Sequence, residues 1–317
     1  MEGTEPSPTL PADSLDVTVL MGGPSAERDV SILSGTAIAD ALERRGHHVV
    51  RADVLPSDTS ALDREGIDVV FIALHGEFGE SGEVQELCEQ RCLRYTGSGP
   101  RASQLAMDKA ATKQMAGRIG LATPDWMIVE EFHSSEQVAV WLPELDVPVV
   151  LKPVDGGSSV DVTIAGTHAE RDRALNAMLD KYGRIMLERF VAGRELTVGI
   201  LGEKPLDVLE IVPGREFYDY TAKYADDAGT RYTFDHGLGR GTVEAVRAAA
   251  GALHRALGCR DMSRVDFMLD DEGTAWLLEI NTIPGFTSHS LLPMASVQAG
   301  IGFDELCDRI ARMAMSR

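Results

Sequence analysis

The sequence predicts two architectures in series: an α/β domain with a parallel, Rossmann-like sheet, then an α+β region that contains an antiparallel hairpin. Three observations predict this. Apolar runs at 15–20, 47–54 and 69–74 flank a helical pattern over 30–45, and strands alternating with helices favour a parallel sheet. Residues 262–292 read as two β-like runs joined by the turn residues Asp270-Asp271-Glu272-Gly273. A chain of 317 residues with 44% hydrophobic and 25% charged residues has globular composition and room for two or three subdomains.

Bulk charge narrows the function classes. A formal net charge of −20 is the opposite of a basic nucleic-acid footprint, and an anionic membrane surface would repel the chain. No nucleic-acid or membrane partner is expected, and any anion site must concentrate the few cations locally. The four cysteines, Cys88, Cys92, Cys259 and Cys307, form no C-x-x-C pair. The i, i+4 spacing of Cys88 and Cys92 could put both on one helix face, a weak zinc half-site; buried reduced thiols in a cytosolic protein are the expectation. Residues 1–14 are acidic and Pro-rich with neither a basic nor an apolar signal-peptide region, so a disordered leader and a cytoplasmic location are expected. No run approaches the ~18 apolar residues of a membrane helix.

In chain order, the strand at 15–20 runs into Met21-Gly22-Gly23-Pro24-Ser25-Ala26-Glu27-Arg28 and then the helix. Glycines admit close backbone approach and a helix N-terminus attracts anions, but the run is not G-x-G-x-x-G, so no dinucleotide is implied. Glu27 by itself is a first-turn acid that complements the helix dipole. The apolar strand at 69–74 ends in His75-Gly76-Glu77-Phe78-Gly79-Glu80-Ser81-Gly82, at the end where such sheets bind ligands. Tyr95 to Pro100 reads as a linker, followed by a helix carrying Met107-Asp108-Lys109. Strands are expected at 125–129 and 149–153; Lys152, emerging from the second, must reach water or an anion. Asp155-Gly156-Gly157-Ser158-Ser159-Val160-Asp161 is a mobile donor-rich loop or a plain turn. Strands at 185–191 and 195–200, an aromatic segment at 217–224 and an amphipathic helix at 243–257 complete the chain.

The hairpin carries the most chemistry. Strand side chains alternate faces, so Arg264 shares a face with Asp266, and Glu279 with Asn281. Pairing the strands can bring two carboxylates, an amide oxygen and a guanidinium onto one surface. Hard oxygen donors of this kind suit Mg²⁺, which is commonly held by one or two carboxylates plus substrate phosphates. An amphipathic hairpin with a solvated face is the plainer alternative.

The run R-V-D-F-M…L-L-E-I-N-T-I-P-G-F-T-S-H-S-L closely resembles the metal and oxyanion segment of D-alanine–D-alanine ligases, which are ATP-grasp enzymes. The strings GG-x-S-A-E-R-x-V-S near the N-terminus and F-Y-D-Y-x-x-K-Y at 217–224 match the same family, and the likeness extends from about residue 17 to about residue 310. The resemblance implies an ATP-grasp fold preceded by a Rossmann-like domain: a leader (1–14), an N-terminal substrate domain (15–97), a central ATP-grasp subdomain (98–190) and a C-terminal subdomain with the metal site (191–317). It implies ATP and Mg²⁺ (or Mn²⁺, two ions) as cofactors, two D-alanines as substrates and a homodimer. It assigns Lys109, Lys152 and Ser159 to the ATP phosphates, Glu188, Phe190 and Val191 to adenine, Glu195 to the ribose, and Asp266, Glu279 and Asn281 to metal. Glu27, with Ser158 and Tyr224, would form a hydrogen-bonded triad at the first D-alanine, and His75 would contact that substrate. Arg264 and the Gly285 N–H would stabilise the oxyanion. Lys223 would sit in the closing loop, and Ser290 with the Leu291 region would take the second carboxylate.

In the mechanism so implied, ATP converts a carboxylate into an acyl phosphate, which a second amine attacks under a lid at 217–236. Lys223-Tyr224 favours dipeptide over ester-linked product. The chain departs from its relatives at Ser81 (usually Asp), Glu86 (usually small), Gly156 (usually Glu), Asp161 (usually Gly) and through 230–236. The changes at Ser81, Gly156 and Asp161 motivate one alternative, an ATP-grasp carboxylate–amine ligase with other substrates; a non-catalytic nucleotide-binding paralogue is the second.

Overall fold

The computed structural model describes residues 14–130, 145–155, 161–214, 229–287 and 290–317. The first sheet is parallel, with β1 (Asp16–Gly22) between β2 (His48–Val54) and β3 (Val69–Ile72). Val17, Val19, Leu20, Val70, Phe71 and Ile72 are buried, which is why β1 and β3 read as continuous apolar runs. Helix α1 (Arg28–Arg44) makes the β1–β2 crossover. In the order β2-β1-β3, the connections leave β1 in opposite directions, and the loops after β1 and β3 flank that switch point, where open α/β sheets take ligands.

Two short helices follow, α2 (Glu83–Gln90) and α3 (Pro100–Met107), and then α4 (Lys109–Arg118). The single helix expected through Met107-Asp108-Lys109 is two. Asp108 is extended (φ −75°, ψ 103°) and its carboxylate accepts from the Ala111 N–H at 2.8 Å, so it caps α4. The cysteine expectation also changes, because α2 ends at Gln90. Cys88 is buried on that helix, whereas Cys92 lies beyond it with φ +55° and is exposed; all four cysteines are free.

The central sheet is antiparallel in the order β4-β7-β5-β6: β4 (Trp126–Glu130), β5 (Val149–Pro153), β6 (Thr163–Ala165) and β7 (Arg184–Arg189). Helix α5 (His168–Tyr182) covers one face, packing Leu175 and Met178 against Val149, Leu151, Ile185 and Leu187. A capping box of Thr167 and Glu170 starts α5, and Gly183 at φ +68° ends it. The other face presents Lys152 and Glu188.

The third sheet runs β10-β9-β8-β11-β12, all antiparallel: β8 (Arg194–Leu201), β9 (Lys204–Val212), β10 (Arg231–Thr233), β11 (Met262–Leu269) and β12 (Ala275–Asn281). Leu196, Val198, Val265, Phe267 and Leu277 form the core face beneath α6 (Arg240–Leu257). Helices α7 (Leu291–Gln298) and α8 (Phe303–Met315) follow. Each expected domain thus holds one sheet, but helices pack across the expected boundaries. Ala106 of α3 and Ala116 of α4 join the core of the third sheet. Leu306, Ile310 and Ala311 of α8 join Ile38 and Leu42 of α1, an interface rimmed by Arg44–Asp304 and by Arg45 and His47 on Asp308.

Candidate active site

The register of β11 against β12 places Arg264 opposite Asn281 and Asp266 opposite Glu279. Residues directly opposed in an antiparallel pair share a face, so the four side chains foreseen for one surface lie together. A bulge follows at once between Asp266 and Phe267, the kind of irregularity that re-aims side chains beside active sites. Like charges directly opposed across two strands repel, and cations flank this pair. Arg264 holds Asp266 through two nitrogens (2.8 and 3.0 Å), and the Lys109 ammonium lies 3.6 Å from Glu279. Thr197 of β8 donates to Asp266 at 2.6 Å, and the Asn281 amide oxygen accepts from the Ile283 N–H at 2.8 Å. Glu195, two residues before Thr197, is on the same face of β8. Among the described residues no group of three or more His, Cys, Asp or Glu could hold a metal by itself. Two carboxylates and an amide oxygen fit Mg²⁺ shared with phosphate oxygens better than a closed, all-protein cage.

Facing this hairpin is a line of lysines. Lys109 and Lys152 are buried, and Lys152 ion-pairs with Glu188. A third buried lysine, Lys113, ion-pairs with the other Glu188 oxygen. The structure therefore gives the Glu188 carboxylate, expected at an adenine, two ammonium partners. Burial raises that carboxyl's pKa, but the Lys152 and Lys113 charges outweigh it and hold the group below the usual range. Lys113 is pushed down to about 8 by burial, and the nearby Lys152 charge acts in the same direction. Burial also lowers Lys109, against the pull of Glu279. Phe190 and Val191 follow β7 directly, where their backbone is free of the sheet ladder.

The loops after β1 and β3 bring in Glu27 and His75, both buried. They are cross-tied by the Ser25 hydroxyl, which donates to the His75 carbonyl at 2.7 Å. Gly76 (φ +70°) passes so close to Glu27 that a Cβ there would sit 3.0 Å from its Oε2. Glu80 is pushed up by burial; Glu27 adds to the shift, while His75 and Arg264 oppose it, so loops and hairpin share one electrostatic site. Ser34 of α1 links His75 (3.1 Å from Nε2) to the Phe286 N–H (3.2 Å), the residue after Gly285. Ser290 caps the segment: its hydroxyl accepts from the Thr287 N–H at 2.9 Å and lies 2.7 Å from where a Cβ on Gly285 would be. The Leu291 side chain is in the core with Leu209 and Ile211, which leaves its backbone N–H, at the start of α7, as the group able to meet an anion.

Ser158, Ser159, Lys223 and Tyr224 lie outside the described residues. So do Gly156 and residues 217–228 of the expected lid, while 231–233 form an edge strand on β9. Of the departures, Asp161 is held by Lys181 and Tyr182 at the end of α5, with φ +56°. That left-handed backbone favours Gly and tolerates Asp. Ser81 accepts from the Phe78 N–H at 3.1 Å and turns toward Glu83. Lys113, Thr197, Ser34 and Glu80 are site residues that sequence reasoning missed.

A family model described as "D-ala D-ala ligase C-terminus" matches residues 115–312. A D-alanine–D-alanine ligase of Anaeromyxobacter dehalogenans is 42% identical over 295 residues, 93% of this chain and 95% of that protein. The D-alanine–D-alanine ligase of Bacillus anthracis superposes with a TM-score of 0.85 at 33% identity, covering 96% of this chain and 98% of that one. The same Bacillus enzyme complexed with ATP gives 0.83 at 31%, covering 96% and 97%. Fold, site face and likeness over nearly the whole length agree: the chain belongs to the D-alanine–D-alanine ligase family, with an ATP-grasp fold.

Proposed function

We propose that this ligase joins two D-alanines into D-alanyl-D-alanine for peptidoglycan precursor synthesis, at the expense of ATP and through a D-alanyl phosphate. One observation carries the reading: the opposed Asp266 and Glu279 carboxylates, with Asn281 and Arg264 on one face, look toward Lys109 and Lys152. Phosphoryl transfer asks mainly for positioning and charge neutralisation, and this face offers both. Asp266, Glu279 and Asn281 would hold Mg²⁺ or Mn²⁺, two ions by family likeness; bound there, the cation neutralises phosphate charge.

Lys109, Lys152 and Ser159 then orient the phosphates, Glu188, Phe190 and Val191 line the adenine, and Glu195 takes the ribose hydroxyls. Glu27 holds the first D-alanine's ammonium beside His75, in a triad with Ser158 and Tyr224. The first carboxylate attacks the γ-phosphorus and ADP leaves. The second D-alanine, its carboxylate on Ser290 and the Leu291 N–H and with Lys223 in the closing loop, attacks the acyl carbon as a neutral amine. Arg264 and the Gly285 N–H stabilise the resulting oxyanion, donors each worth roughly 3 kcal/mol in such sites, and phosphate departs, taking up the proton that the amine loses as the amide forms. We place these roles on three subdomains (15–97, 98–190, 191–317), in a cytoplasmic homodimer. Among the described residues no helix is long and apolar enough to cross a membrane.

The test is ADP release and product mass with a panel of D-amino acids. D-Alanine should give the greatest stimulation and a D-alanyl-D-alanine product; no stimulation by D-alanine refutes the reading. The alternative of other substrates rested partly on Asp161, and its ion pair with Lys181 accounts for that added carboxylate without any substrate.

A further inference from the structure

We propose that Lys113 is a positioning residue for the nucleotide phosphates: it shares the Glu188 carboxylate with Lys152, so that Lys152 keeps net positive charge toward the cleft. The inference rests on the ATP-site reading above.

Lys113, Lys152 and Glu188 are 1%, 6% and 2% exposed. Lys152 and Lys113 each pair with one of the two Glu188 oxygens. Two ammoniums on one carboxylate leave the group with a formal charge of +1. A Lys152–Glu188 pair alone would be neutral and would offer little to a polyphosphate. Burying a second cation is costly unless it is paired, and one ammonium already neutralises the charge of one carboxylate. The surplus charge is the feature a polyanion would read.

Lys113 supplies that charge from behind. Its ammonium donates to Thr123 Oγ1 at 2.5 Å, and that hydroxyl donates to the Leu277 carbonyl at 3.0 Å, on β12 two residues before Glu279. On α4 it lies one turn after Lys109, so one helix face sends Lys109 to Glu279 and Lys113 to Glu188. The anchored residue tunes the charge of its neighbour through Glu188 and keeps Glu188 in place.

The test is steady-state kinetics and direct binding of ATP, ADP and adenosine by calorimetry for wild type and Lys113→Met. Removing one unit charge at this range should raise the ATP KM and Kd about tenfold. The D-alanine KM should stay within about twofold, since its groups lie on other loops. The loss of affinity should shrink from ATP through ADP to adenosine, which carries no phosphate. A merely structural lysine would weaken all three ligands by the same factor. An unchanged ATP KM in Lys113→Met, or a loss that does not depend on the number of phosphates, overturns the proposal. If Lys113→Met does not fold, Lys113→Gln, which keeps a donor for Thr123, reads the same quantities. Failure of the functional reading is distinct, because wild type itself would then neither bind ATP nor release ADP.

Discussion

Substituting Gly285 by Ala perturbs the second-substrate site through one contact. The added Cβ would lie 2.7 Å from Ser290 Oγ and 3.6 Å from Ser290 Cβ, the two contacts within 4 Å among the described residues outside the adjoining ones. Contacts that short do not persist, so the Ser290 hydroxyl must rotate. It then gives up the Thr287 N–H and the Thr287 hydroxyl, both at 2.9 Å, and leaves the start of α7. A hydrogen bond to a charged group is worth about 1.5–3 kcal/mol, so losing the one to the second D-alanine's carboxylate raises that KM roughly 10- to 150-fold. The ATP KM should not move, because the nucleotide groups lie on β5, β7 and α4. The assay is ADP release against D-alanine at saturating ATP. Ser290→Ala should reproduce the effect, and Gly285→Ala/Ser290→Ala should be no worse than either single change. An unaltered D-alanine dependence in Gly285→Ala, or strict additivity in the double variant, would refute the reasoning.

His254 is buried on α6 with Nδ1 2.8 Å from Ser263 Oγ, and burial pushes its pKa down to about 4. Its folded value lies below the usual 6.5, so the unfolded chain takes up a proton that the native chain refuses. Stability therefore falls between pH 6.5 and 4, by about 3 kcal/mol from this group. Urea unfolding of His254→Gln should lose that part of the wild-type slope, and identical slopes would contradict it. Asp161→Gly relieves a left-handed backbone worth roughly 1–2 kcal/mol and removes only exposed contacts with Lys181 and Tyr182, so Tm should hold or rise; a clear fall contradicts the assignment. Asp266→Asn leaves Arg264 without its bidentate partner and should lower kcat at least tenfold with an increased divalent-cation requirement; an unchanged cation titration would count against Asp266 as a ligand.

The hairpin was the most legible part of the chain because its information is local. A period of two puts Arg264 with Asp266 on one face of their strand and Glu279 with Asn281 on one face of theirs, but the register that runs back from the turn (Leu269 opposite Ala275) would set Asp266 against Leu278; the bulge between Asp266 and Phe267, which no sequence pattern announces, brings the two pairs onto one surface. The apolar runs of β1 and β3 were legible for a similar reason. Lys113 was not, because a lysine one turn after Lys109 reads as an exposed helix residue; only the packing of α4 on the third sheet, with β7 in front, buries it against Glu188. The break at Asp108 was hidden in a helical pattern, although an Asp before a helical stretch is an N-cap signal. Ser34 looks like any α1 residue until the loop after β12 folds back onto it. Leu291 shows the converse: the sequence expects it beside Ser290 at a substrate carboxylate, but its side chain belongs to the core, which leaves only its N–H for that role.

The proposed ligation depends on a divalent cation held between the hairpin carboxylates and the ATP phosphates, and Glu279→Gln tests that most directly. Gln keeps the shape and an acceptor oxygen but removes the charge that opposes Asp266 and faces Lys109. With ATP, Mg²⁺ and D-alanine, wild type should release ADP in step with D-alanyl-D-alanine, and the folded variant should fall by at least about a hundredfold. Turnover by Glu279→Gln within a fewfold of wild type would contradict the account.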